Sequence, residues 1–266
     1  MISDEYSSTY AQYIVAIFRQ KLEEGYDTDT EEIPFTAADI NAAQRKHDLS
    51  NLENKGDLPY NLRGRSNLPD ELAQHGYDSV IQDINAKSSS AAYLITKRTQ
   101  IIDVPQPSES TSIDLSGVPD LVNEFTSRDE QGVLTLIRYA DVVSKFTSLD
   151  RCHHLQNHLR AFFESGQVEI DSLYIGSRNE EPVIVIVEGK GMDEEFTRNQ
   201  LRMNAAAIES LDAYPDTVHI IGVQPRHEDL FTIVEFEIPD RIEGLINVPR
   251  TKQYTFGQQR LSNFIG

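Results

Sequence analysis

Hydrophobic and polar positions along this chain follow two rhythms. Tyr10 to Glu23 reads as a tyrosine-bearing helical stretch. "TAADINAAQRKHDL" carries Ile40 and Ala43 at helical spacing, after a Thr36 suited to an N-cap, and predicts a helix as well. "NKGDLPYNLRGRSNLPDELAQHGY" predicts short helices broken by Gly and Pro. "SVIQDINAKSSSAAYLITKR" predicts two strands around the polar tip "NAKSSS", a hairpin. Past a Pro-, Ser- and Asp-rich stretch, "SRDE" at 127–130 reads as a capping box ahead of the helix "QGVLTLIRYADVVSKF". "RCHHLQNHLRAFFES" predicts a second helix, stopped by Gly166. Strands are expected over 168–175 and 183–188, then a helix in "EEFTRNQLRMNAAAIESL" and two strands in "TVHIIGV" and "FTIVEFEI". The resulting order is α, β, β, α, β, β, with a further β-pairing near Gly166.

This pattern divides the chain into four parts. Residues 1–32 form an N-terminal helical extension, and 33–103 a small domain of helices followed by a hairpin, the order of a winged helix-turn-helix. Residues 104–120, rich in Pro and Ser, are a linker, and 121–266 form the larger domain. With 266 residues, 39% hydrophobic and 25% charged, the composition is that of a globular protein. No run approaches the ~18–20 apolar residues that span a bilayer, and "MISDEYSSTYAQ" lacks the basic-then-apolar pattern of a secretory leader. The single Cys152 excludes an internal disulfide and a four-cysteine zinc site. The expectation is a cytoplasmic protein with no membrane partner.

Net charge changes the picture less than its size suggests. At −19, with a pI of 4.7, the chain is short of the Lys and Arg that phosphate binding requires. The acid is spread along the whole chain, and Arg outnumbers Lys. Such a surface suits concentrated salt, where the Debye length falls to ~3 Å at 1 M; an ordinary acidic protein fits equally well. Local clusters therefore carry more information than the total.

The sharpest local chemistry lies between Val168 and Gly191. Residues two apart on a strand share a face, so Glu169 pairs with Asp171, and Glu188 with Lys190. An all-apolar run such as Val183–Val187 needs cover on both sides, so its polar end emerges at the rim of a packed sheet. If the two strands are hairpin neighbours, the carboxylates of Asp171 and Glu188 meet. Their repulsion is relieved by a divalent cation between them. Mg²⁺ takes one or two carboxylates, keeps several waters and can bind a phosphate oxygen. Lys190 would then orient or help deprotonate a water, or stabilise developing negative charge. Acid–x–Lys triplets are most often ordinary strand-end charges. Here a buried-type strand, a matching acid at hairpin distance and a following helix favour phosphodiester hydrolysis.

"EID" (169–171), "VEGK" (187–190) and "NQLR" (199–202) resemble the PD-(D/E)xK nuclease superfamily, over about residues 127–238. The resemblance implies an α/β fold: a restriction-endonuclease-like core, with a mixed sheet flanked by helices, preceded by a small winged-helix-like α+β domain. Asp171 matches the first metal-binding acid, Glu188 the second and Lys190 the catalytic lysine. The main-chain carbonyl of Gly189 matches a further metal ligand, and Glu169 and Gln200 are looser matches. Ile170 stands where the motif's name has Pro, a variable position. The implied activity is a Mg²⁺-dependent DNA endonuclease of restriction type, with Mn²⁺ as a substitute metal. The implied partners are DNA, a second copy of the chain and a cognate methyltransferase. The alternative is a winged-helix DNA-binding protein on an inactive nuclease fold.

For DNA reading, Arg63 and Arg65, with Lys55 nearby, form the best positive patch of the small domain, and Lys87 sits at the expected wing tip. Gln200 joins them as a candidate DNA contact. His154 and His158, four apart on the expected second helix, would share a face. Half a zinc site has no complementary pair in the chain, so a plain helix surface, or one near the DNA backbone, is the expected role.

Overall fold

The computed structural model describes residues 2–62, 68–83, 92–97, 100–163, 166–211, 214–215, 217–227, 229–238 and 246–256. Arg63, Arg65 and Lys87 lie outside the described residues. The chain divides into two compact units. One holds Met1–Ile102, Phe162–Val168 and Thr197–Asn199; the other holds Asp103–Ala161, Glu169–Phe196 and Gln200–Gly266.

The first unit contains α1 (Ile2–Glu5), α2 (Thr9–Glu23), β1 (Glu32–Thr36), α3 (Ala37–His47), α4 (Asp57–Leu62), α5 (Asp70–Ala73), β2 (Ser79–Gln82) and β3 (Ala92–Thr96). The strands form an antiparallel sheet in the order β1-β3-β2. Thr36 caps α3 as expected: its hydroxyl accepts the Ala38 N–H, and the Asp39 carboxylate accepts the Thr36 N–H in return. Helix α2, placed by sequence in an extension, shares one core with the residues after 33. Tyr13 to Phe18 are all buried there with Ile33, Phe35, Val80 and Ile95.

The second unit contains β4 (Ser110–Ile113), α6 (Asp120–Phe125), α7 (Glu130–Tyr139), α8 (Val142–Thr147), β7 (Glu181–Gly189), β8 (Val218–His227), β9 (Leu230–Glu237), β10 (Asn247–Phe256) and, apart from their residues within 162–168 and 197–199, β5 (Arg151–Phe163), β6 (Gly166–Arg178) and α9 (Arg198–Glu209). Its mixed seven-stranded sheet runs β4-β10-β9-β8-β7-β6-β5. The β6–β7, β8–β9 and β9–β10 pairs are antiparallel, while β7–β8 and β4–β10 are parallel. Helix α9 makes the crossover that a parallel β7–β8 pair requires. On one face Val183, Val185, Val187, Ile221 and Ile233 pack with Leu136, Ile137 and Phe146 of α7 and α8. Alternation puts Ile184, Ile186 and Glu188 on the other face, so β7 is covered on both sides, as its unbroken apolar run required. There Phe196 fills the space left by Gly222, where an added Cβ would stand 2.5 Å from its ring.

Several elements differ from the sequence reading, among them β1 and β10, which it did not expect. The stretch 151–163 is strand β5, not a helix. Leu155 and Leu159 satisfy a helical spacing, but the backbone hydrogen bonds offered by the exposed edge of β6 decide, since strand preference depends on context more than on composition. The single helix expected over "QGVLTLIRYADVVSKF" breaks at Asp141, whose φ of 54° is left-handed, giving α7 and α8. The N-cap of α7 is Asp129 rather than Ser127: its carboxylate accepts the Gly132 N–H at 2.9 Å and the Ser127 hydroxyl at 2.7 Å. Within the stretch read as linker, residues 110–113 pair with β10. Among the described residues no helix is long and apolar enough to cross a membrane.

Candidate active site

The antiparallel register of β6 and β7 sets Ser172 opposite Val187, and therefore brings Asp171 level with Glu188 one position further on. The ladder continues past the end of β7, because the Lys190 N–H donates to the Val223 carbonyl at 3.0 Å. Glu188 and Lys190 consequently leave the strand on one face. The Lys190 ammonium donates to Glu188 Oε1 at 2.5 Å, and both side chains are buried, 8% and 1% exposed.

Helix α9 completes the surroundings of Glu188. Gln200 donates to Oε1 and Asn204 to Oε2, the latter at 2.9 Å. Asp171 accepts the Gly189 N–H through Oδ2 at 2.8 Å. From the opposite side the first residue of α7, Glu130, arrives over Gly189. A Cβ there would come within 2.8 Å of Glu130 Cγ and 3.0 Å of Leu134 Cδ1, so only glycine lets this helix approach so closely.

Three carboxylates thus share a poorly solvated corner, and each is biased toward its acid form. Burial pushes Glu188 up to about 7; the Lys190 ammonium opposes this and the charge of Asp171 adds to it. Burial also raises Asp171, against the pull of the Gly189 N–H and of Lys190. Glu130 is raised by burial first and by Asp171 second. Such a set is relieved by added positive charge.

Asp171, Glu188, Gly189, Lys190 and Gln200 are brought together as expected from sequence. Glu169 stands on the same face of β6, but its carboxylate is engaged by β5: Arg160 Nε donates to it at 2.8 Å and His158 Nδ1 lies 2.8 Å away. These partners, Arg160 foremost, hold Glu169 below the usual glutamate range. His154 and His158 do not share a helical face. His154 packs edge-on against Tyr174, and His158, with φ 50°, marks a β5 irregularity that turns its ring toward Glu169.

Two residues escaped the sequence reading. Glu130 was absorbed by the capping pattern at 127–130. Asn204 is fully buried, and the sequence did carry a signal: a poor helix former on the stripe of Leu201 and Ile208, at helical spacing.

The donor set suits a hard divalent cation of the Mg²⁺ kind. Among the described residues no group of three or more His, Cys, Asp or Glu side chains could by itself hold a metal. A carboxylate pair supplemented by water is, however, what Mg²⁺ accepts. Glu188 accepts three donors, which leaves one of its ~four lone-pair positions. No protein-family model, curated protein or solved structure matches the chain.

Proposed function

We propose that the chain is a Mg²⁺-dependent endodeoxyribonuclease of the PD-(D/E)xK kind, acting in a restriction-type role. The observation that carries this reading is the buried junction of Asp171, Glu188 and Lys190 at the ends of two paired strands. A mixed sheet with helices on its faces also fits. A cation bound there supplies a Lewis acid for the phosphate and a water of lowered pKa. Asp171 and Glu188 would hold it, with the Gly189 carbonyl at the same strand end; Gln200 and Asn204 fix the Glu188 carboxylate so that it does not turn away. The ammonium of Lys190 has three donors. One is given to Glu188, and the others are available to a phosphate oxygen or to the attacking water. Glu130 adds a carboxylate above the junction.

The helices and three-stranded antiparallel sheet of the first unit suit a winged-helix-like DNA-reading part, with Arg63, Arg65 and Lys87 as its candidate contacts. Cutting both strands with one site per chain calls for two chains, so a homodimer belongs to this proposal, and a restriction role implies a protecting methyltransferase.

Plasmid cleavage in Mg²⁺ tests the reading. D171A and E188A abolish cleavage, and wild-type rates in either variant would show that the site is misassigned. K190A lowers the rate at saturating protein by on the order of 10²–10⁴. DNA affinity with Ca²⁺ in place of Mg²⁺ changes far less, one ammonium being a single phosphate-scale contact. A collapse of affinity with a normal saturated rate would make Lys190 a DNA-binding residue instead. A second reading, a DNA binder without catalysis, draws on the closed hydrogen-bonding of Glu188; it predicts a mobility shift without cleavage.

A further inference from the structure

Strand β5 has a composition unlike the rest of the chain. Between residues 151 and 163 it carries Arg151, His153, His154, His158 and Arg160 and no Asp or Glu, in a protein of net charge −19. It is also the last strand of the sheet, so one side of its backbone faces away from the ladder. His153, Leu155, Gln156, Asn157, His158 and Arg160 are all exposed.

The side-chain directions follow from contacts. Cys152 packs against the core beneath α7 and α8, and His154 lies edge-on against Tyr174 of that same core. Alternation sends His153 and Leu155 to the opposite face. After the irregularity at His158, that residue and Arg160 reach Glu169, which shares a face with Asp171. His153, Leu155, His158 and Arg160 therefore lie on the face that carries Asp171 and Glu188.

Resting on the nuclease reading, we infer that β5 is a ledge that receives the phosphodiester backbone of the DNA beside the cleavage site. Phosphate oxygens are met by Arg side chains and backbone N–H donors, and the ledge face offers Arg160 beside His153 and His158, with no carboxylate of its own. The nearest acids on that face are Glu169 and Asp171 of β6. Glu169 is occupied by Arg160 and His158, and it steadies them. Arg160 spends its Nε–H on Glu169, while its side chain remains 62% exposed and has further N–H groups to give. Two inter-strand spacings separate β5 from β7, roughly 10 Å, which keeps the ledge within reach of a duplex whose backbone lies at the β7 end.

The test uses the full chain and a fluorescently labelled 20-base-pair duplex, titrated in Ca²⁺ over a salt series. H153E/L155E adds two carboxylates to exposed positions without removing a hydrogen bond made by Arg160 or His158. R160Q removes one charge and serves as the second variant should the first melt early. Expected are a loss of affinity of about tenfold or more for H153E/L155E, and for R160Q a log–log salt slope shallower by about 0.9. Affinity and slope equal to wild type in both variants would overturn the ledge, while wild-type binding and cleavage leave the nuclease reading standing. A wild-type protein that neither binds nor cuts DNA removes the nuclease reading and the ledge with it. Were the variants to abolish self-association in sedimentation while DNA affinity held, the occupant would be a second copy of this acidic chain and the inference would fall.

Discussion

Glu188 is where the chain concentrates its electrostatic cost. It is almost fully buried, beside an ammonium and level with another carboxylate. Its folded-state value is raised from the ordinary 4.5 to about 7 by burial, so the folded protein holds this proton more tightly than the unfolded chain does. The stability it contributes is complete below about pH 4.5 and is lost as pH rises through about 7. In buffers containing a chelator, the stability of E188Q relative to wild type should therefore climb between those two values and level off above them. Urea midpoints at half-unit pH steps check this, and a constant difference across the window would contradict it. The residues around Glu188 were unequally legible. Asp171 and Lys190 follow from two-residue spacing and one hairpin register, both local features of sequence. Glu130 and Asn204 arrive on helices from elsewhere in the chain, and a single sequence does not state which helix end meets which strand end.

At the scale of elements, the reading succeeded where periodicity and burial agreed and failed where neighbours decided. The strands β6 and β7, the helix α9 and the Thr36-capped α3 each advertise themselves through apolar pattern or capping chemistry. Strand β5 does not, because an exposed edge strand has one side without ladder partners and needs no clean alternation; its two leucines read as a helix. Helix α7 is tied to the site by one absent side chain. G189A keeps an ordinary backbone conformation, since Gly189 is not among the positive-φ residues, so its effect is steric alone. The new methyl meets Glu130 Cγ and Leu134 Cδ1, and it should cost about 1 kcal/mol, the lower end of overpacking, because Glu130 can swing aside. The same displacement removes Glu130 from above Asp171, so cleavage should fall by more than this stability change explains. Denaturant midpoints and cleavage rates at a temperature where the variant is fully folded separate the two effects; unchanged activity would leave Glu130 a bystander.

At the scale of the molecule, the two units keep separate cores: among the described residues, those packed around Leu136 and Phe146 come from Ile113 onward, and those packed around Phe18 come from before Thr96. The larger sheet is stitched from very unequal spans of sequence. Strands β6 and β7 meet through the turn joining Arg178 to Glu181, whereas Ser110 of β4 waits for Gln253 of β10. Closing a short loop is fast and closing a long one is slow. The chain therefore assembles its chemically interesting hairpin early and its far edge last, and on the ribosome β4 leaves the tunnel long before its partner has been made. Pulse-labelled hydrogen exchange during refolding should find the amides of β6 and β7 protected before those of β4 and β10. The reverse order would mean that the sheet nucleates at its far edge. A nascent chain halted shortly before β10 would already hold Asp171, Glu188 and Lys190 together while still exposing one raw strand edge, a window in which a chaperone is the partner that matters.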